Sequence, residues 1–416
     1  MTIHPILAAL RRHKSGVVLI SMQIALTLAI VCNAIFIIGQ RIEKVNRPTG
    51  LNESHLFLVT QQWVGAPSGD DPASVEKLDS MQKEDLAALR ALPDVQSVAS
   101  ITSLPLLGSS WEGGINLVPN AQKQLAHTSY YFGDEQMFAT LGLKLVAGRA
   151  FNAGDIRHQG FRDQRDPPIV IVTQALAKKL DPKGSGVGKT VYLNGGHTPV
   201  TIVGVVERMQ SSRRGGSGLD NNDWNATLAP MRLDGSFARY VVRAKPGRLD
   251  AAVRSIPSTL YKVDPLRVLD DDSVKAFADI RAEAYRADIG MAILMGAVCL
   301  ILLGVTAAGI VGLTSFWVGQ RHRQIGVRRA LGARKSDILH YFQIENLMIA
   351  GAGAVIGVAL ALELNAWLMQ HFEMDRLPVI YVLVGLVALL ALGQAAVYLP
   401  ARRASRVSPI EATRSV

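Results

Sequence analysis

Residues 17–39 read VVLISMQIALTLAIVCNAIFIIG, an apolar run in which no side chain is charged. A helix needs about 20 apolar residues to cross roughly 30 Å of hydrocarbon. Three more apolar runs of sufficient length lie near the other end of the chain, at 289–319, 338–369 and 378–399. The sequence therefore predicts an α-helical membrane protein with four transmembrane helices.

The composition of the 416-residue chain agrees with this prediction. Only 19% of its residues are charged, and a mean hydropathy of +0.21 is high for a soluble globular protein. Both cysteines, Cys32 and Cys299, lie inside apolar runs, where a thiol behaves as a small hydrophobic group. The sequence therefore offers neither a disulfide framework nor a cysteine metal site.

The net charge of +10 is concentrated in three segments. Segments 1–16, 320–337 and 400–416 hold thirteen Lys and Arg residues against two acidic residues, whereas the charge of 41–286 is nearly balanced. Because basic loops stay in the cytoplasm, the positive-inside rule predicts that these three segments, and so both termini, are cytoplasmic. The domain at 41–286 then lies on the other side. Because the positive-inside rule accounts for the excess of basic residues, the net charge is no longer an argument for nucleic-acid binding.

The start of the chain allows two alternatives. The first apolar run exceeds the 7 to 15 residues of a signal-peptide core, and no small-residue cleavage site follows Gly39, so we expect a retained anchor rather than a cleaved signal peptide. Ahead of it, apolar residues recur at helical spacing between Ile3 and Leu10 and predict an amphipathic helix over 1–16 on membrane lipid. A disordered basic segment is the alternative there.

The domain at 41–286 is predicted to be α+β. Periodicities in the order strand, helix, strand occur over about 50–104 and again over about 230–275, each next to a membrane span in sequence. Between them, about 105–229 is richer in Gly, Asn and Asp and contains short β-like runs. We therefore expect two βαβ units with an inserted β-rich subdomain.

The run Gly184-Ser-Gly-Val-Gly-Lys-Thr190 resembles a phosphate-binding loop but fails in two respects. The motif needs a glycine where Lys183 stands, and it needs a helix afterwards to cradle phosphate, whereas the strand-like Val191-Tyr-Leu193 follows. We predict a turn that enters a β-hairpin, with no bound nucleotide and no other cofactor.

No catalytic or metal-binding pattern stands in the sequence. His55, His127, His158 and His197 are scattered, and neither H-E-x-x-H nor G-x-S-x-G occurs. We therefore predict no catalytic and no metal-binding residues, with these histidines on the surface. The acidic run 270–272 is expected to cap the helix that follows it.

The basic loop between the second and third spans reads RHRQIGVRRALGARKSD over 321–337. Two glycines punctuate it, and Ile325, Val327 and Leu331 are apolar side chains that could enter a partner's groove while arginines frame them. An ordinary positive-inside loop explains the same composition equally well.

This loop resembles the signature of the MacB/FtsX family of ABC-transporter permeases, R-x-x-E-I-G-V-R-R-A-L-G-A, with Gln324 in place of the usual glutamate. Three further motifs of that family are matched in the same order along the chain. They are FATLGLKLVAGRAF at 138–151, VGKT at 187–190 followed by VGVV at 203–206, and PARRASRVSPIEA at 400–412.

The resemblance implies a permease and mechanotransmission subunit of the bacterial inner membrane. Its porter-like base and inserted subdomain would be periplasmic, and ATP hydrolysis in a separate ABC ATPase would move them for efflux or extrusion of a periplasmic substrate. The chain itself shows no Walker motifs, so we expect it not to be an enzyme. The residues that this resemblance assigns to ATPase coupling are Gln324, Ile325, Gly326, Val327, Arg328, Arg329, Ala330, Leu331, Gly332 and Ala333.

The resemblance also implies partners and leaves alternatives open. The expected partners are the ATPase, a second permease in a homodimer or heterodimer, and a periplasmic adaptor if the system is an efflux pump. The alternative functions are a non-transporting regulator of a cell-wall hydrolase, a lipoprotein-releasing subunit, and an exterior enzyme on a membrane anchor. Whether Gln324 weakens docking to the ATPase is open.

Overall fold

The structure is a computed structural model that describes residues 14–67, 71–163, 165–213, 222–372 and 375–406. Its helices are α1 (Lys14–Val45), α2 (Pro72–Arg90), α3 (Met137–Leu141), α4 (Gln174–Leu180), α5 (Leu249–Val263), α6 (Phe277–Ala284), α7 (Arg286–Gln320), α8 (His322–Ala330), α9 (Lys335–Phe372) and α10 (Val379–Ser405). Its strands are β1 (Leu56–Trp63), β2 (Val95–Ser100), β3 (Trp111–Asn116), β4 (Ala126–Gly133), β5 (Leu145–Gly148), β6 (Arg157–Gly160), β7 (Ile169–Thr173), β8 (Thr190–Leu193), β9 (Val200–Val206), β10 (Ala226–Asp234), β11 (Phe237–Ala244), β12 (Arg267–Val268) and β13 (Val274–Ala276).

The described residues form two compact units. Among the described residues, the membrane unit comprises those up to Asn46 and those from Ala287 onward, and the α+β unit comprises those within Arg47–Arg286. The predicted amphipathic helix at 1–16 lies outside the described residues except for its last part, which belongs to α1. Most of the tail at 400–416 also lies outside them.

Within the described residues, four helices are long and apolar enough to cross a membrane, namely α1, α7, α9 and α10. Helices α1, α7 and α9 contain the predicted runs 17–39, 289–319 and 338–369 and extend beyond them at both ends, whereas α10 begins one residue after the predicted start at 378 and extends beyond 399. The helix α9 packs against α1 and α10, while α7 is the least buried of the four.

Two glycines of α9 allow it to approach α1 closely. A Cβ at Gly353 would lie 2.7 Å from Ser21 O, and one at Gly357 would lie 2.9 Å from Ala25 O. Both distances are too short for a real side chain. Small residues four apart are the usual means by which membrane helices bring their backbones together.

The base of the α+β unit is a sheet that interleaves the two predicted strand–helix–strand segments. Its strand order is β12-β1-β11-β2, and β13 also pairs with β1. Every pairing is antiparallel, so the parallel strands β1 and β2 of the first segment are separated by β11 of the second. The helices α2 and α5 pack together and bury Leu86, Leu89 and Ile256 against this sheet. The two segments therefore share one core instead of forming two separate units.

The insert of the α+β unit contains β3 to β10. Pairings run in the order β4-β3-β8-β9-β7-β10, and β10 also pairs with β4, so these six strands close into a ring. Alternate residues of these strands, such as Val170, Val172 and Val191, are buried in a core that also takes Leu176 and Leu180 of α4. The insert extends to Asp234 at the end of β10, beyond the predicted boundary at 229.

Two local predictions have clear outcomes. The glycine-rich run before Thr190 leads into the antiparallel pair β8–β9, so the predicted turn that enters a β-hairpin is confirmed. The prediction that the acidic run 270–272 caps a helix is wrong. The Ser273 hydroxyl instead donates to the Asp270 carboxylate in a turn, strand β13 follows, and α6 begins without a side-chain cap.

Candidate functional site

The basic loop after the second span forms helix α8, which ends in a Schellman motif. The Gly332 amide donates to Arg329 O at 3.2 Å, and the Ala333 amide donates to Arg328 O at 3.1 Å. Gly332 has a φ of +99°, a backbone conformation that glycine adopts without strain. The sequence R-R-A-L-G-A therefore encodes both the helix and its stop.

Three contacts tie α8 to the rest of the membrane unit. At its start, Arg321 Nη1 lies 3.0 Å from both carboxylate oxygens of the buried Glu345 in α9. In its middle, Ile325 is buried in the core of the membrane unit. Near its end, Arg329 donates a hydrogen bond to Ser405 O in α10. A force on α8 would therefore reach α9 and α10 directly.

The interpretation of Ile325 as a side chain available to a partner is wrong. It is buried because it faces the core of the membrane unit, and Gly326 beside it is buried too. Val327 is exposed, and Leu331 is exposed over 83% of its surface. The predicted coupling residues that are exposed are Gln324, Val327, Arg328, Ala330, Leu331 and Gly332, and those that are partly buried are Arg329 and Ala333.

The exposed face of α8 combines an apolar tip with fixed positive charge. The Arg328 guanidinium lies 5.3 Å from the ring centroid of Tyr341 in α9, a cation–π distance that restrains the side chain. Leu331 projects at the C-terminal end of the same helix. Such a surface suits a partner that offers an apolar groove rimmed by acidic or polar groups.

The α+β unit contains a polar cluster that sequence reasoning missed. Asp79 of α2, His158 of β6 and Asp234 of β10 place ligand atoms within 4.8 Å of one another. His158 Nδ1 lies 3.1 Å from Asp234 Oδ2, and Gln82 Nε2 donates to Asp234 Oδ1 at 3.0 Å. The cluster thereby joins α2 of the base to β6 and β10 of the insert.

This cluster corrects one expectation, the scattering of metal-ligand residues, whereas His158 lies on the exposed part of β6, as predicted. The partners of His158 lie far away in sequence, so no local spacing could have indicated them. Two acids and a histidine can ligate a divalent cation. Here, however, Arg232 and Lys83 both pair with the Asp79 carboxylate and neutralise it. Because the charge of Asp79 is already compensated by these two side chains, the cluster is better explained as a polar contact between base and insert than as a metal site.

The two carboxyl groups of this junction are shifted in opposite directions. Burial, and then the charge of Asp79, raises the pKa of Asp234 to about 7. Burial also opposes ionisation of Asp79, but hydrogen bonds from Lys83 and Arg232 outweigh it and lower the pKa of Asp79. Asp79 therefore carries the negative charge of the pair, and Asp234 titrates near neutrality.

Asp234→Asn should reduce the loss of stability of the α+β unit as pH rises. The folded pKa of Asp234 lies above its unfolded value, so its contribution is greatest at acidic pH and declines between about pH 4 and 7. The difference in free energy of unfolding between variant and wild type should change by on the order of 1 kcal/mol per pH unit. Urea denaturation followed by tryptophan fluorescence measures it. Parallel pH profiles for both proteins would refute this, and the exposed Asp250→Asn is the control.

Two family models together cover most of the chain. Residues 22–258 match the MacB-like periplasmic core domain, and residues 289–409 match the FtsX-like permease C-terminal domain. With its four apolar helices, the chain is thus a multi-pass membrane permease with a mixed α/β periplasmic domain. It belongs to the MacB/FtsX-type family of ABC-transporter permeases.

Two proteins that are similar in sequence to this chain carry the name MacB. The chain is 26% identical over 366 residues to "Macrolide export ATP-binding/permease protein MacB 2" from Aeromonas hydrophila subsp. hydrophila, covering 84% of this chain and 50% of that protein. It is 27% identical to the MacB of Hahella chejuensis, covering 84% and 50%. The chain thus spans about half the length of these curated relatives.

A solved structure is also similar to part of the chain. It is the periplasmic region of MacB from Actinobacillus actinomycetemcomitans, with 17% identity, 58% of this chain covered, 97% of that chain covered and a TM-score of 0.34.

Proposed function

We propose that this chain is the permease and mechanotransmission subunit of an ABC transporter. It couples ATP hydrolysis by a separate cytoplasmic ATPase to movement of the periplasmic domain, for efflux or extrusion of a periplasmic substrate. The observation that carries the proposal is helix α8, which presents Leu331 and Arg328 to solvent while Arg321, Ile325 and Arg329 fasten it to the membrane unit.

The orientation proposed is that of the bacterial inner membrane with both termini and α8 in the cytoplasm. The thirteen basic residues of segments 1–16, 320–337 and 400–416 support it through the positive-inside rule. In this orientation the α8 surface faces the compartment that holds ATP. The ATPase is a separate polypeptide in this proposal, whereas the names of the two MacB relatives combine ATP-binding and permease functions.

Polar groups in the membrane unit support a lever in preference to a solute channel. Thr27 and Thr306 hydrogen-bond to each other at 2.8 Å, linking α1 to α7, and Asn33 donates to Ala361 O at 3.0 Å, linking α1 to α9. Ion and solute pathways use intramembrane polar groups as ligands or relays. Here these groups hold helices together.

A second permease is the partner that suits α7. Much of this helix is exposed, including Ile293, Leu300 and Ile301, and a Cβ at Gly304 or Gly312 would meet nothing within 4 Å. We propose that a homodimer or heterodimer covers part of this face and lipid covers the rest. A periplasmic adaptor belongs to the proposal only for the efflux function.

Site-specific photo-crosslinking tests the docking surface. A photoreactive residue at position 331 in native membranes should capture an ABC ATPase, identified by mass spectrometry. The matched control is position 266, where an exposed leucine of the α+β unit should not capture it. Failure to recover an ATPase from position 331, or equal recovery from both positions, would contradict the proposed coupling role.

Co-purification in mild detergent separates the alternatives. An ATPase together with a periplasmic adaptor supports efflux. A cell-wall hydrolase supports the regulator of cell-wall cleavage, and transfer of a lipoprotein to a soluble acceptor supports a lipoprotein-releasing subunit. Absence of all of these partners would favour an enzyme on a membrane anchor.

A further inference from the structure

A cavity of about 280 Å³ lies between the base and the insert of the α+β unit. Its base wall includes Thr102, Phe237 and Arg239, and its insert wall includes Trp111 and Phe161. The volume is near the lower end of the roughly 300–1,000 Å³ of small-molecule sites. The cavity belongs to the α+β unit, whereas the proposed ATPase-docking helix α8 belongs to the membrane unit.

Arg239 gives this cavity a positive charge that no other lining residue in the described part of the chain compensates. Its Nη1 donates to Thr102 O at 2.8 Å, and its Nε is buried without a hydrogen-bond partner. Among the described residues no carboxylate lines the cavity, and burial lowers the pKa of Arg239 with no negative charge to oppose it. A partly desolvated guanidinium without a counter-ion is costly, and an anionic ligand would offset that cost.

Aromatic rings form the apolar part of the same cavity. Trp111 and Phe161 are 36% and 39% exposed, with ring centroids 5.6 Å apart and planes tilted by 59°. Phe237 lies on the base side, 4.9 Å from the Arg239 guanidinium. The Arg165 guanidinium lies 3.6 Å from the Trp111 ring centroid and restrains that ring. Exposed rings that surround a concave space provide faces and edges on which a planar ligand can stack.

We propose that this cavity binds a small aromatic anion, a planar ring system that carries one carboxylate, sulfonate or phosphate group. The ring lies among Trp111, Phe161 and Phe237, and the anionic group lies at Arg239. A neutral ring of the same shape would gain the stacking but leave Arg239 without a counter-ion. The proposal goes beyond the coupling function and stands whether or not the chain docks an ATPase.

Equilibrium dialysis of the full chain in lipid nanodiscs tests the proposal, with empty nanodiscs subtracted. The probes are naphthalene-2-sulfonate and its neutral analogue 2-naphthol. The sulfonate should bind with a Kd about tenfold lower than the naphthol, as expected when one charge-assisted hydrogen bond distinguishes two ligands. Equal affinities for the two probes, or no saturable binding of the sulfonate, would overturn the proposal.

Variants separate charge recognition from folding. Arg239→Gln should remove the preference for the sulfonate and leave the Kd of 2-naphthol nearly unchanged, whereas Arg239→Lys should restore part of the preference. Trp111→Ala should weaken both probes. The controls are Arg248→Gln and Tyr261→Ala, an exposed arginine and an exposed aromatic residue of the same unit. If Arg239→Gln keeps the preference, or Arg248→Gln loses it, Arg239 does not hold the anion.

Discussion

Leu331→Asp should abolish the stimulation of ATP hydrolysis by this chain, lowering the stimulated rate by about tenfold or more. Leu331 is the most exposed large apolar side chain of the α8 surface and stands at the end of the helix. In the apolar groove that is proposed to receive Leu331, a carboxylate would have to be desolvated, at a cost of several kcal/mol. Because the side chain makes no part of the core, the fold should remain intact.

Gly332→Pro should uncouple the complex by a different route. Proline requires a φ near −65°, whereas Gly332 adopts +99°, and proline has no amide to donate to Arg329 O. The Schellman stop would be lost and the exposed tip would point elsewhere. Arg328→Glu should also uncouple the complex, since it reverses a charge of the same surface.

The measurement is ATP hydrolysis by the reconstituted complex in proteoliposomes, with and without the permease. The matched control is Leu266→Asp, which places the same charge on an exposed leucine of the α+β unit and should leave the stimulated rate unchanged. Unaltered stimulation by Leu331→Asp, Gly332→Pro and Arg328→Glu together would show that α8 is not the docking element.

Arg267→Met should lower the free energy of unfolding of the α+β unit by about 3–5 kcal/mol. The side chains of Arg267 and Asp85 are 0% exposed, and two bonds of 2.9 Å join guanidinium to carboxylate. The Tyr240 hydroxyl donates to the same carboxylate at 3.0 Å. Removal of the arginine leaves Asp85 buried without its counter-ion, and that desolvation dominates the loss.

This loss should shrink as the pH is lowered. Burial, opposed by Arg267, already raises the pKa of Asp85, and removal of the arginine should raise it further. A carboxyl group that binds its proton more tightly in the folded state stabilises that state most at acidic pH. Urea denaturation between pH 5 and 8 measures the effect. A loss in Arg267→Met no larger than in Arg248→Met, whose exposed arginine pairs with Asp94, would refute the argument.

The membrane spans were predictable because their signal is local. An apolar run of about 20 residues is longer than the helices and strands of a soluble core require. The basic segments that flank these runs predict the orientation of the spans in the membrane. The basic loop at 321–337 was recognised from its charge and its position between two spans, but the helix that it forms, with Gly332 as its left-handed cap, was not predicted. Each of these inferences needs only neighbours in sequence.

The arrangement of the α+β unit was not predictable from one sequence. Strand β1 pairs with β11, and no local pattern specifies a partner so far along the chain. The same limit hid the junction of Asp79, His158 and Asp234, whose members are brought together by the fold. The wrong interpretation of Ile325 has a related cause. A nine-residue helix with apolar residues on several sides does not reveal from its sequence which side faces the core.

The pairing of β1 with β13 has a consequence for how this domain is carried. Phe57 and Ala276 are direct partners in that ladder, so the first and last strands of the domain run side by side. Partner Cα atoms of an antiparallel pair are only about 5 Å apart. A domain whose ends meet can be inserted into a loop, or removed from it, without spreading the flanking segments. The chain therefore enters and leaves the base sheet of the periplasmic domain through two paired strands.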